Sequence, residues 1–192
     1  MADPGGWEAL LERTGALLSG HFELSSGLHS PKYVQCARAL EDPVDAEALA
    51  RGIAESFADH EIDRVIAPPL GALLIGYEVA RALGVAFTFA ERDAEGRLLL
   101  RRGFSIAEGE RILVVEDVIT TGRTTREVLG LLAASGARIA GVAAIVDRSS
   151  EHMLNGLPIY ALLRLEIPTF DPAACSLCEQ RIPLTKPGSR TS

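Results

Sequence analysis

The sequence predicts an α/β fold with a mainly parallel sheet flanked by helices, and three observations lead there. Short apolar runs without polar alternation (Val65-Ile66-Ala67, Ile112-Leu113-Val114-Val115, Ile139 to Val146) read as strands buried on both faces. Segments of helical periodicity separate them. Proline, glycine and charged clusters mark the junctions.

Taken in order, Leu10, Leu11, Leu17 and Leu18 have helical spacing and predict a helix from about Trp7 to Leu18, stopped at Ser19-Gly20. His21 to Leu24 follows, then a polar turn from Ser25 to Pro31. Asp42-Pro43 breaks the chain before a helix from about Val44 to Ala58. Val65 to Ala67 is a strand closed by Pro68-Pro69; Gly71 to Leu83 reads as a helix and Val85 to Phe89 as a strand. A polar segment from Glu91 to Gly96 leads to a short strand at Leu98-Leu99-Leu100. The strand Ile112 to Val115, a helix from Gly122 to Ala134 and the β-branched strand Ile139 to Val146 come next. Ile159 to Leu165 is the last strand, ahead of a proline-rich polar tail. One domain is expected: an N-terminal helical portion over about 1–60, an α/β core over about 61–166 and a tail over about 167–192.

At 192 residues with 47% hydrophobic side chains, the chain has enough apolar mass for a sizeable core, and 23% charged residues argue against disorder. The net charge of −7 excludes non-specific nucleic-acid binding, which needs a basic footprint. A small anion remains possible as a ligand, because backbone amides and a few arginines suffice to hold one. Lys32 and Lys186 are the only lysines, so a cation on a phosphate here is expected to be arginine. No basic stretch precedes an apolar run near the start, and no run approaches the roughly 18 apolar residues of a membrane span. Three cysteines, an odd number, fit a reducing compartment. The expectation is a soluble, cytoplasmic protein without membrane or nucleic-acid partners.

The chemistry is concentrated between Ile112 and Thr124. An apolar strand ends in two adjacent carboxylates, Glu116 and Asp117; Val118 and Ile119 follow, and then Thr120-Thr121-Gly122-Arg123-Thr124 opens a helix. Ligands of open α/β sheets bind beyond the carboxyl ends of strands. The turn offers free N–H groups, hydroxyls and the positive end of a helix dipole, the parts of a phosphate cradle. Two carboxylates beside an anion site make sense if the ligand also carries hydroxyl donors, so a sugar phosphate fits better than phosphate alone. The competing reading is an ordinary threonine-capped helix with solvated acids. Neither a Walker loop nor a Gly-x-Gly-x-x-Gly fingerprint occurs.

These thirteen residues resemble the signature of the type I phosphoribosyltransferase family. The resemblance implies that family's fold, with a small hood built from the N- and C-terminal segments. It implies that Glu116 and Asp117 face the ribose hydroxyls of 5-phosphoribosyl 1-diphosphate (PRPP), and that Thr120 to Thr124 hold its 5-phosphate.

Within that family, His21 to Tyr33 is similar to the region that orotate phosphoribosyltransferases fold over the base, which places Tyr33 and Val34 beside orotate. Ser25 stands where many members have a PRPP-contacting lysine. Val146-Asp147-Arg148 resembles the pair whose arginine binds the orotate carboxylate, a match a guanidinium makes with two parallel hydrogen bonds. Thr120 is expected to touch both substrates. Ala67 to Ala72 lies where the family has its pyrophosphate loop, giving Pro69, Leu70 and Gly71 that role, with Ala72 in place of a second glycine. Glu91 to Arg97 resembles the mobile catalytic loop that closes over the neighbouring subunit's site. Of its basic residues only Arg92 matches cleanly, with Arg97 a substitute.

The implied reaction joins orotate to PRPP in pyrimidine synthesis, with Mg²⁺ held by diphosphate and hydroxyl oxygens and no direct protein ligand, in a homodimer with shared sites. A purine-base phosphoribosyltransferase and a non-catalytic PRPP or nucleotide sensor are the alternatives. Cys175-Ser176-Leu177-Cys178 is a lone Cys-x-x-Cys. Zinc needs four ligands, and neither Cys36 nor His152 completes a recognisable pattern, so the pair reads as structural or as plain thiols. The tail Lys186 to Arg190 also resembles the ends of some family members.

Overall fold

A computed structural model describes residues 4–24 and 26–187. Its elements are α1 (Pro4–Arg13), β1 (Leu17–Glu23), β2 (His29–Val34), α2 (Pro43–Glu55), β3 (Arg64–Ala67), α3 (Leu73–Leu83), β4 (Ala86–Arg92), β5 (Leu98–Leu100), β6 (Arg111–Ile119), α4 (Arg123–Ala134), β7 (Arg138–Asp147), β8 (Met153–Leu154), β9 (Leu157–Arg164) and α5 (Ser176–Glu179). Seven strands form one sheet in the order β5-β4-β3-β6-β7-β9-β8. The middle five run parallel, and β5 and β8 are antiparallel edges.

The apolar strands follow the two-residue period of a sheet covered on both sides. Val65, Ala67, Leu113, Val115, Ala143 and Ile145 enter one core with Leu49 and Ile53 of α2 and Ile75 and Val79 of α3. Ile66, Ile112, Val114, Val142 and Ala144 enter a second core with Val128, Leu129 and Leu132 of α4. Helix α2 starts at an Asp42 cap that accepts from the Val44 amide, with Pro43 just inside; α3 stops at Gly84 in the left-handed region.

Several sequence expectations change. Leu17 and Leu18 are not the end of α1 but the start of β1, because Gly15 at φ 72° turns the chain after Arg13. The polar segment after it is a hairpin: β1 pairs antiparallel with β2, and Pro31 lies in a strand. The first sixty residues, expected as a helical portion of the one domain, include the β1–β2 hairpin and pack into the first core. Leu11, Leu49, Ala50, Ile53 and Phe57 are fully buried in the first core. Strand β6 runs on through the two carboxylates to Ile119, so Glu116 and Asp117 sit within the strand rather than at its very end. Ser25 and residues 188–190 fall outside the described residues.

The tail returns to the hairpin. His29 and Phe170 exchange backbone hydrogen bonds at 2.9 and 2.8 Å, and Thr185 donates to His21 O and accepts from the Glu23 amide, both at 2.9 Å. The Cys175-x-x-Cys178 pair is consequently not isolated, for it meets two hairpin histidines, His21 and His29.

Candidate active site

Strand order reverses at β3 and β6. After β3 the chain adds β4 on one side; after β5 it crosses back to place β6 on the other. Such a switch point leaves a crevice at the carboxyl ends of the two strands. Both predicted phosphate-binding segments lie there: residues 68–72 after β3, and Glu116 to Thr124 at the end of β6.

The two segments touch. A Cβ added to Gly71 would lie 2.5 Å from Asp117 Oδ2, so the loop after β3 packs its backbone directly on the carboxylate. The Pro69–Leu70 peptide is cis. Ala72, where a second glycine was expected, is 2% exposed; its methyl group belongs to the first core.

Glu116, Val118, Ile119 and Thr120 to Thr125 line a small concavity of about 60 Å³. Gly122 sits at φ 69°, where a side chain would strike Leu154, so the turn depends on glycine twice over. That conformation precedes α4, whose first residues Arg123, Thr124 and Thr125 line the concavity and whose first amides have no partner within the helix. Thr120 and Thr121 are exposed on this rim, while Thr125, one residue past the predicted set, is buried beneath it.

The carboxylates are electrostatically unusual. Burial, with Asp117 alongside, pushes Glu116 up to about 9. Its Oε2 is buried without a hydrogen-bond partner among the described residues. Burial also raises Asp117, opposed by the Val118 amide, which donates to Oδ1 at 2.9 Å. These are acceptors suited to hydroxyl donors, as a ribose supplies.

Arg148 follows β7, and its amide donates to Ile119 O at 2.8 Å, locking it beside the end of β6. Burial lowers its pKa, and its Nε is buried without a partner among the described residues. A guanidinium stays charged even so. Its neighbour Asp147, fully buried, accepts from Ser149 N and Oγ and meets His152 Nδ1 at 2.6 Å, so it shapes the turn rather than the ligand surface. Tyr33 lies on β2 with its ring 5.8 Å from that of Phe22. Two residues past the hairpin, the Cys36 thiol points at Asp117 O at 3.7 Å.

The segment from Glu91 to Arg97, expected as a loose lid, is the β4–β5 hairpin. Asp93 N and Arg97 O bond at 3.0 Å, and Asp93 Oδ1 accepts the Glu95 and Arg97 amides. Arg92 ends β4, paired with Glu127 at 2.9 Å and with Gly96 O at 2.6 Å. Glu127 also takes Arg123 Nε at 3.2 Å, linking the hairpin to the signature turn within one subunit. Glu127 was legible as an i+4 partner of Arg123 but carried no sign of Arg92.

A second concavity, about 570 Å³, lies elsewhere, between α2 and the C-terminal half of α3. Of its charged residues, Glu47, Arg51, Glu78 and Arg81 are paired among themselves, and Glu55 also lines it. It sits at the opposite end of α3 from the switch point.

Residues 39–166 match the model of the phosphoribosyl transferase domain. Orotate phosphoribosyltransferase of Caldicellulosiruptor bescii is 50% identical over 181 residues, 94% of this chain and 95% of that protein. Orotate phosphoribosyltransferase of Thermotoga maritima is 45% identical over 181 residues, 94% and 96% of the two chains. The solved orotate phosphoribosyltransferase of Mycobacterium tuberculosis superposes with a TM-score of 0.68 at 26% identity, over 84% of this chain and 96% of that one.

Proposed function

The chain belongs to the phosphoribosyl transferase family, and we propose on that premise how its site selects and holds its substrates. It is an enzyme that transfers the 5-phosphoribosyl group from PRPP to orotate, giving orotidine 5′-monophosphate and pyrophosphate. Arg148 carries the choice of base: a half-buried guanidinium whose Nε has no partner among the described residues, held beside the cradle, suits the orotate carboxylate.

In this reading Thr120 to Thr124 receive the 5-phosphate on amides and hydroxyls at the start of α4. Glu116 and Asp117 accept from the ribose hydroxyls and hold the sugar as its bond to the diphosphate lengthens. The amides after β3 face the departing diphosphate, with Gly71 allowing that loop to sit against Asp117. The bond from orotate nitrogen to the anomeric carbon forms as the bond to diphosphate oxygen breaks, and the proton on that nitrogen passes to the departing diphosphate or to water. Positive charge on the sugar is transient, so the protein orients and stabilises charge and supplies no covalent nucleophile. The all-oxygen donor set, with Glu116 Oε2 lacking a partner among the described residues, suits a hard cation held through substrate oxygens and water. Mg²⁺ would neutralise charge on the diphosphate.

A homodimer is the proposed working unit. Leu70, Leu74 and Tyr77 are 79%, 59% and 57% exposed beside the site, an apolar strip that a second copy would cover. No described helix is long and apolar enough to cross a membrane. Three cysteines, none of them in a disulfide, support a cytoplasmic setting. The deciding assay supplies PRPP and Mg²⁺ with orotate, adenine, hypoxanthine or uracil in parallel. Consumption of orotate alone is expected, and turnover of a purine instead would overturn the base assignment.

A further inference from the structure

Away from the strand ends, four side chains meet between the β1–β2 hairpin and the tail. His21 comes from β1, His29 from the first position of β2, and Cys175 and Cys178 from the turn that opens α5. Their donor atoms all lie within 4.8 Å of one another. His21 Nε2 is 2.9 Å from His29 Nδ1, 3.6 Å from Cys175 Sγ and 3.7 Å from Cys178 Sγ; Cys178 Sγ is 3.4 Å from His29 Nδ1. We propose that these four residues form a closed, tetrahedral zinc site that fastens the C-terminal tail to the hairpin.

The distances are those of ligands around one ion. Arms of about 2.3 Å to sulfur and 2.0–2.1 Å to nitrogen, at tetrahedral angles, set S···N edges at roughly 3.6 Å and an N···N edge at roughly 3.3 Å. The three sulfur–nitrogen separations fall around the first value, and the histidine pair is slightly closer than the second. His21 Nδ1 lies 2.8 Å from Ile182 O, placing the ring proton there and leaving the Nε2 lone pair facing the cluster. A backbone carbonyl on the far nitrogen is the usual support of a metal-bound histidine. The amides of Cys178 and Glu179 both bond to Cys175 O, at 3.1 and 3.2 Å, a helical turn that holds the two thiols together. Neither thiol is in a disulfide.

The donor set decides the metal. Two thiolates and two imidazoles favour zinc over the hard Mg²⁺ that phosphates take. Binding displaces two thiol protons to solvent, and Zn²⁺ with two thiolates is neutral, which suits burial of His21, His29 and Cys175. Four protein ligands leave no open position, so the role is structural. A two-stranded hairpin is marginal by itself, and the tail adds isolated bridges at Thr185 and Phe170 rather than a strand. A metal joining the two is the cross-link such a small unit needs.

The test reads metal rather than activity, so it is independent of the substrate assignment. The full chain, purified without a metal-affinity tag, is expected to contain about one zinc per chain by elemental analysis. Cys175→Ser and Cys178→Ser should lose that zinc, whereas Cys36→Ala should keep it. Should the serine variants misfold, cobalt(II) substitution in the unaltered chain answers the same question. Intense visible bands of tetrahedral cobalt with thiolate charge transfer are expected. A metal-free chain that binds neither Zn²⁺ nor Co²⁺ after reduction, a weak octahedral cobalt spectrum, or zinc retained by both serine variants would overturn the site. A Cys175–Cys178 disulfide in the freshly isolated protein would do so as well.

Discussion

Gly71 and Asp117 are fitted to each other: a methyl group on Gly71 would stand 2.5 Å from Asp117 Oδ2. The loop after β3 and the carboxylate of β6 thus form one surface, although they come from strands more than forty residues apart in the chain. Gly71→Ala must move the loop or the carboxylate. Misplacing groups that hold a substrate by about 1 Å can cost on the order of 100-fold, so kcat/KM for PRPP should fall roughly 10- to 100-fold with little change in the orotate KM. Initial rates with each substrate varied in turn are the measurement. Unaltered PRPP kinetics would mean that the loop does not serve the diphosphate.

Glu116 gives a pH dependence with a definite sign. Its carboxyl is pushed from 4.5 to about 9, so the fold favours the protonated form. The stability this contributes is whole below the unfolded value and is lost as the pH rises through that window. Melting curves of Glu116→Gln should therefore gain on the parent between about pH 5 and pH 9. Ribose hydroxyls favour the ionised form, so PRPP binding should release protons near neutrality. Calorimetry in buffers of different ionisation enthalpy detects that release, and its absence would place Glu116 off the sugar.

Arg148→Ala should raise the orotate KM far more than the PRPP KM. Losing a charged hydrogen-bond partner costs about 1.5–3 kcal/mol, roughly 10- to 150-fold. Arg148→Lys should recover little, since an ammonium cannot make the paired contact. Wild-type orotate kinetics in both variants would make Arg148 a packing residue.

Arg92 is held within its own subunit by Glu127 and Gly96 O, so service to a partner's site requires that pair to open. Inactive Arg92→Ala and Asp117→Asn subunits, mixed and allowed to exchange, should recover activity if the site is shared. Exchange without recovery would keep Arg92 in its own subunit. Near-full activity of Arg92→Ala alone would move attention to Arg97.

Strands β3, β6 and β7 were legible because each is a run of apolar residues buried on both faces, a pattern with few other uses. The turn Thr120 to Thr124 was legible for a similar reason: its spacing is dictated locally by one strand end and one helix start. The helix assigned to Leu17 and Leu18 failed because two leucine pairs satisfy helical spacing as readily as the end of a helix and the start of a strand. The hairpin at Glu91 to Arg97 reads as a loop in sequence because its order rests on Asp93 accepting two amides, and the residue types alone do not show that.

The sequence by itself determined the layered α/β core, the family and the strand–turn–helix that carries Glu116 to Thr124, because each rests on contiguous residues or on a period of two. Tertiary structure decided what depends on distant segments meeting. It set Gly71 against Asp117, tied Arg92 to Arg123 through Glu127, and left Glu116 buried enough to hold its proton. It also brought Cys175 and Cys178, separated from the hairpin histidines by about 150 residues, to within bonding range of His21 and His29. Side-chain spacing along a chain encodes one strand or one helix; convergence of four ligands from a hairpin and a tail is fixed by how the sheet closes the ends of the chain together.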